Sequence, residues 1–187
     1  NPHFIFNSLN SINNFILKNE TEAASDFLTK FSRLIRKVLQ NSAHKLVNIE
    51  EDIAALKLYI ELEQLRFNYK FNYEIVFDKY LNTNIVLIPP LIVQPYVENA
   101  IWHGLMHKDG LGLITITVNK DNESLIFTIT DNGIGRQKAA EYKSLYSEHK
   151  KSMGLSITSE RINTINKAFN LQTFIKIEDL YNTNGEA

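Results

Sequence analysis

Three short segments carry residues whose types and spacing can do chemistry. The first is Asp131-Asn132-Gly133-Ile134-Gly135, directly after an alternating apolar stretch from Leu125 to Thr130. A carboxylate at a strand end can accept a hydrogen bond from an exocyclic amine such as that of adenine. The two glycines let backbone approach a ligand closely and adopt positive φ. The second segment is Glu98-Asn99-Ala100-Ile101-Trp102-His103-Gly104. Asn99 and His103 are four apart, so on a helix they share a face, turned away from Val93, Val97 and Ala100. A neutral amide oxygen suits Mg²⁺, which takes few protein ligands and keeps phosphates and water. The third is Ser152-Met153-Gly154-Leu155, where Ser152 can cap a helix and the N–H groups behind it face phosphate oxygens. Each alone is commonplace: a turn, a solvated helix face, a capped helix. The weight lies in their order along one chain.

The elements that must position them read as follows. Ile5, Leu9, Ile12 and Ile16 recur at helical spacing, as do Phe27, Phe31, Leu34 and Val38, and then Ile53, Leu56, Ile60 and Leu65. Asn19 with Glu22 and Asn48 with Glu51 resemble caps for the second and third helices. Three amphipathic helices are expected, a hairpin and a longer linking helix, with apolar stripes that need a partner surface. Near Tyr69 the period changes to two: Phe71, Tyr73, Ile75 and Phe77 mark a strand. A helix is expected over about Leu91 to Leu105, with Pro95 best placed in its first turn. Strands at Leu113 to Val118 and Leu125 to Thr130 form a hairpin around Lys120 to Glu123. A polar loop covers Asn132 to Lys151, a final helix runs from Leu155 to Phe169, and Thr173 to Ile177 is a short strand. The fold class is α+β: residues 1–68 helical, residues 69–187 an α/β sandwich on a mixed, largely antiparallel sheet.

Composition narrows the functions. With 187 residues, 44% hydrophobic and 22% charged, and a formal net charge of -1, the chain has no bulk attraction for nucleic acid or acidic membrane. It has no cysteine, which excludes disulfides, thiolate metal sites and cysteine nucleophiles. Ile85 to Val93, the best apolar run, is broken by Pro89 and Pro90, far short of the roughly 20 residues of a membrane span. The chain opens at Asn1 without methionine and reads as a fragment whose upstream parts, a membrane anchor among them, lie elsewhere.

A polar helix, a strand ending in Asp-x-Gly-x-Gly, a polar lid and a glycine at a helix start resemble the N, G1 and G2 boxes of the GHKL (Bergerat) ATP-binding fold. The start of the chain, Asn1-Pro2-His3-Phe4-Ile5-Phe6-Asn7-Ser8-Leu9-Asn10, resembles the phospho-acceptor region of LytS-type sensor histidine kinases. So does Pro90 to Ala100 followed by His103-Gly104. The resemblance implies ATP and Mg²⁺ as cofactors, with Asp131 reading adenine and Asn99 holding magnesium. His103 lines the nucleotide site, Gly133 and Gly135 give room, and the N–H groups of Gly154 and Leu155 meet phosphates. His3 is then the acceptor, in a homodimer that passes its phosphoryl group to a response-regulator receiver domain. The location implied is the cytoplasmic part of a bacterial inner-membrane protein, with no nucleic-acid partner.

Three departures from the family pattern matter. Phe4 stands where many histidine kinases place an acidic residue beside the acceptor, so the base is unassigned; Asn7, one turn on, is a candidate to orient the ring or a water. Pro95 stands one turn before Asn99, where ATP-hydrolysing relatives carry a general-base glutamate, and Glu98 points about 100° away around the helix. That favours a kinase over the alternatives, a GHKL ATPase or a nucleotide-binding scaffold. Ser152 and Ile157 replace the usual glycine and asparagine of the G2 box.

Overall fold

The computed structural model describes residues 2–121, 124–146, 162–168 and 172–180, with the side chains of residues 2, 3 and 142–146 outside the description. The chain divides into two compact units, one of Asn1–Lys70 with Asn82–Leu91, the other of Phe71–Leu81 with Ile92–Ala187.

In the first unit, α1 (Pro2–Leu17) packs on α2 (Thr21–Ser42), and α2 on α3 (Ile49–Arg66). Asn19 does not cap α2. It sits at φ 59°, the left-handed conformation that closes α1, with Glu20 N–H reaching Phe15 O at 2.9 Å and Asn19 N–H reaching Ile16 O at 3.0 Å. Asparagine tolerates that conformation, and α2 starts behind Glu20 without a side-chain cap. Asn48 does cap α3, its side chain accepting from Glu51 N–H at 2.8 Å. Rather than being amphipathic, α3 is buried nearly all round, Asp52, Glu63 and Gln64 included. Such a helix belongs inside a unit rather than on its surface.

On α1 the row turned inward is Phe4, Ser8, Ser11 and Phe15, half-buried or buried. Phe4 meets Tyr59 and Phe31 with ring centroids 5.4 and 6.1 Å apart, and Phe15 meets Phe27 at 5.8 Å. Ser8 and Ser11 donate back to the carbonyls of Phe4 and Asn7, and their hydroxyl oxygens accept from Arg66 Nη2 at 3.4 Å and Nε at 3.1 Å. Arg66 Nη1 in turn donates to both carboxylate oxygens of Glu63 at 2.9 and 3.0 Å, the glutamate being fully buried. The regularly spaced Ile5, Leu9 and Ile16 stay 43%, 51% and 56% exposed, as do Leu17, Leu28 and Leu39 in still larger or similar measure.

Two short strands escaped the sequence reading. β1 (Val47–Asn48) pairs antiparallel with β3 (Leu87–Ile88), and Ile49 N–H continues to Val86 O at 3.1 Å. Two-residue strands leave no period to read. Asp52, 2% exposed, accepts from Leu91 N–H at 2.7 Å, holding Leu91 at φ 57°.

In the second unit β2 (Phe71–Phe77) lies parallel to β4 (Gly112–Asp121), and β4 antiparallel to β5 (Ser124–Asp131), in the order β2-β4-β5. One of these two pairings is parallel, so among the described residues the sheet is mixed rather than largely antiparallel. The ladder between β4 and β5 reaches Asp121 opposite Ser124. The row Ile114, Ile116 and Val118 is fully buried, while Leu113 and Asn119 on the other face are exposed. α4 (Gln94–Asn99) begins with Pro95 in its first turn and passes into a π-helical segment, Ala100–Leu105, where Met106 N–H bonds Ile101 O at 3.0 Å.

Two expectations fail in this unit. Much of the anticipated loop from Asn132 is a helix, α5 (Gly135–Tyr146). Its sequence is rich in helix formers but lacks an apolar stripe, so periodicity missed what propensity supports. Thr173 to Ile177 is irregular, not a strand. The N–H and C=O of Thr173 are both taken by the Asn166 amide at 3.0 Å, and Phe174 is 86% exposed. Of the final helix, residues 162–168 are described and helical, with Ile162 and Ile165 buried; Leu155, Thr158 and Phe169 lie outside the described residues.

Candidate functional site

The loop after β5 is pinned from three sides. Asn132 is tied to the start of β4 twice, its N–H to Leu113 O at 3.2 Å and its Oδ1 accepting from Leu113 N–H at 2.8 Å. Gly133 N–H donates to Asp131 Oδ1 at 2.9 Å. Ile134 N–H donates to Gly104 O at 3.2 Å, joining the loop to the π-helical segment. Gly135 then opens α5 at φ 75°. Of the two loop glycines, Gly135 uses its backbone freedom and Gly133 its lack of bulk. A Cβ on Gly133 would stand 2.5 Å from Gly104 Cα.

Asp131 is half-buried, with one oxygen engaged by Gly133. Desolvation holds its carboxyl above the ordinary value, and the Gly133 N–H partly offsets this. A carboxylate in that state is an acceptor poised for a donor, with Oδ2 the oxygen left for one.

On α4 and its continuation, Val93, Val97, Ala100 and Ile101 are buried, Asn99 is half-buried and His103 exposed. A π-bulge inside a helix is a frequent mark of a functional site. Here it follows Asn99 directly and includes the glycine that meets Asp131. Among the described residues no group of three or more His, Cys, Asp or Glu could hold a metal ion. A divalent cation at the Asn99 amide would therefore draw on phosphate and water oxygens, as Mg²⁺ does.

The structure thus brings Asp131, Gly133 and Gly104 together and sets Asn99 five residues before Gly104 on one continuous helix. Position 3 lies in the first turn of α1 and Asn7 is half-buried one turn on. The His3 side chain, Ser152, Gly154 and Leu155 lie outside the described residues. The sequence reading gave Gly104 no role. Its signal was there: a glycine within a helical run costs about 1 kcal/mol against alanine, so something must need its bare Cα.

Residues 1–71 match a family model described as histidine kinase. The chain is 35% identical over 135 residues to the sensor protein LytS of Staphylococcus haemolyticus, covering 72% of this chain and 23% of that protein. It is 31% identical over 161 residues to the sensor protein LytS of Oceanobacillus iheyensis, covering 84% and 27% respectively. With the sensor histidine kinase YpdA of Escherichia coli it shares 34% over 135 residues, 72% of this chain and 23% of the relative. The chain belongs to the histidine kinases and, among them, to the LytS-type sensor family. It spans about a quarter of the length of these relatives. Among the described residues no helix is long and apolar enough to cross a membrane.

Proposed function

We propose that this chain is the kinase core of a two-component sensor: an ATP-dependent protein-histidine kinase that phosphorylates His3 and passes the phosphoryl group to an aspartate of a response regulator. Residues 1–68 are the acceptor and dimerisation region, and residues 69–187 a GHKL-type ATP-binding domain. The observation that carries this reading is the Asp131 carboxyl at the end of β5, engaged on one oxygen by Gly133 and walled by Gly104.

Asp131 Oδ2 accepts from the exocyclic amine of adenine. The Asn99 amide oxygen would hold Mg²⁺, which would supply neutralisation of phosphate charge, and His103 lines the same site. The N–H groups of Gly154 and Leu155 meet phosphate oxygens. The His3 imidazole attacks the γ-phosphorus through an unprotonated ring nitrogen: an N–P bond forms, the bond to the ADP oxygen breaks, and the ring proton goes to solvent. Positioning and charge neutralisation supply most of the rate. Asn7, one turn beyond His3, orients the ring. The family supports a response-regulator partner and a cytoplasmic kinase core attached to a bacterial membrane sensor.

The test is incubation with Mg²⁺-ATP labelled at the γ-phosphate. Acid-labile, base-stable label is expected on the wild-type chain, absent from His3→Gln and slower to appear on Asn7→Ala. Tight ATP binding without label would move the acceptor elsewhere; neither label nor binding would leave a scaffold.

The exposed Ile5, Leu9 and Ile16 of α1, with Leu28 and Leu39 of α2, make a second copy of this chain the proposed cover for these helices. Sedimentation should show a dimer forming as concentration rises; a monomer throughout the range would remove that part of the proposal.

A further inference from the structure

Gly104 faces Asp131 more closely than any side chain would permit. A Cβ built on Gly104 lies 2.6 Å from Asp131 Oδ1 and 3.3 Å from its Cγ, with Gly133 Cα at an ordinary 3.7 Å. The oxygen in the way cannot simply swing aside, because it accepts the Gly133 N–H at 2.9 Å. Nor can the loop retreat as a body. Ile134 N–H is bonded to the Gly104 carbonyl at 3.2 Å, and Asn132 is tied twice to β4. The bare Cα of Gly104 is therefore one wall of the slot in which the carboxyl lies, and the direction of Oδ2 follows from that wall. Gly133 makes a different contact. Its Cβ would meet Gly104 backbone, Cα at 2.5 Å and C at 2.6 Å, as well as Asp131 Oδ1 at 2.6 Å.

We propose that Gly104 is a positioning residue for base recognition, acting through the Asp131 carboxyl to make the site select an amino-purine over an oxo-purine nucleotide. The inference rests on the reading of Asp131 as the acceptor for adenine. A side chain at position 104 turns the carboxyl out of its slot, so Oδ2 no longer aims at the exocyclic amine. Contacts to the phosphates do not pass through this pair. The loss falls on discrimination, which a merely structural glycine would not alter selectively.

The two glycines should also behave differently towards truncation of Asp131. Removing the carboxyl removes the obstacle to a methyl at position 104. It does not remove the backbone obstacle to a methyl at position 133.

The experiment measures dissociation constants for ATP and GTP, with thermal melts, on wild type, Gly104→Ala, Asp131→Ala and the double variant. Wild type should prefer ATP, and Gly104→Ala should forfeit roughly tenfold or more of that preference, the scale of a hydrogen bond to a charged group. In the Asp131→Ala background, Gly104→Ala should cost no further preference and little melting temperature, whereas Gly133→Ala should still destabilise. Undiminished preference in Gly104→Ala overturns the inference, and so does an equal further loss in the double variant. If Gly104→Ala does not fold, a folded double variant supports the proposal and an unfolded one overturns it. A wild type that binds neither nucleotide removes the kinase reading and this inference together. An ATP preference that depends on Asp131 but not on Gly104 removes this inference alone.

Discussion

Arg66→Ala should lower the stability of the helical unit by roughly 3–5 kcal/mol, the usual cost of removing one partner of a buried ion pair. Glu63 is fully buried and the Arg66 side chain 9% exposed, so a carboxylate that loses the guanidinium has little access to water. The guanidinium also serves Ser8 and Ser11 and lies 5.9 Å from the centroid of the Phe4 ring. Its loss therefore loosens α1 as well as charging the interior. Denaturant melts monitored by circular dichroism measure the effect. Arg66→Lys should fall between wild type and alanine, because an ammonium keeps the charge but cannot hold Glu63 while reaching both hydroxyls. Removing both charges, as Glu63→Leu with Arg66→Met, should recover most of the loss. A melt unchanged by Arg66→Ala would mean that the Arg66–Glu63 pair does not hold the unit together.

The second large effect is a loss of binding without a loss of stability. Asp131→Asn should weaken ATP binding roughly 10- to 150-fold, equivalent to about 1.5–3 kcal/mol for a hydrogen bond to a charged group. The amide oxygen can still accept from Gly133, but its NH₂ then faces the exocyclic amine, donor against donor. Folding moves the other way. Burial raises the carboxyl's folded value above its unfolded one. Its favourable contribution is complete below the unfolded value and is lost as pH rises through the folded one. Above that range the charged Asp131 is thus a burden on the fold, and Asp131→Asn should melt no lower than wild type. The difference in melting temperature should grow as pH rises through the Asp131 titration and then level off. ATP affinity of wild type should fall as pH drops through the same range, with that limb missing in the variant. A variant that loses stability along with binding would make Asp131 a structural residue.

Periodicity and turn chemistry made much of the fold legible. Asn48 and Glu51 announced the start of α3, and the alternation from Phe71 to Phe77 announced β2. What escaped was whatever depends on partners far along the chain. Ser8 and Ser11 look like surface residues until Arg66, more than fifty positions away, is packed against them. The apolar row of α1 is the one that periodicity picks out, yet an equally spaced but half-polar row of two phenylalanines and two serines is the one that α2 and α3 take up. Asn19 and Glu22 match a capping pattern, but the same asparagine is better used one element earlier, where a left-handed residue is required. In the site, Asp131 and the loop glycines were readable because their order is local. The need for Gly104 was hidden, since it is a distance between two segments that only folding brings together.

The three rows of α1 are related by simple offsets. Positions 3, 7, 10 and 14 carry the histidine and three asparagines; one residue on, positions 4, 8, 11 and 15 are the row gripped by α2, α3 and Arg66; one further, positions 5, 9, 12 and 16 are the isoleucine and leucine row. At about 100° per residue, the apolar row lies some 200° of azimuth from the histidine row, nearly diametrically opposite. A neighbour seated on the isoleucines therefore does not eclipse position 3. The helix can be grasped on two of its sides at once while the third, which carries the proposed acceptor position, is left to another partner.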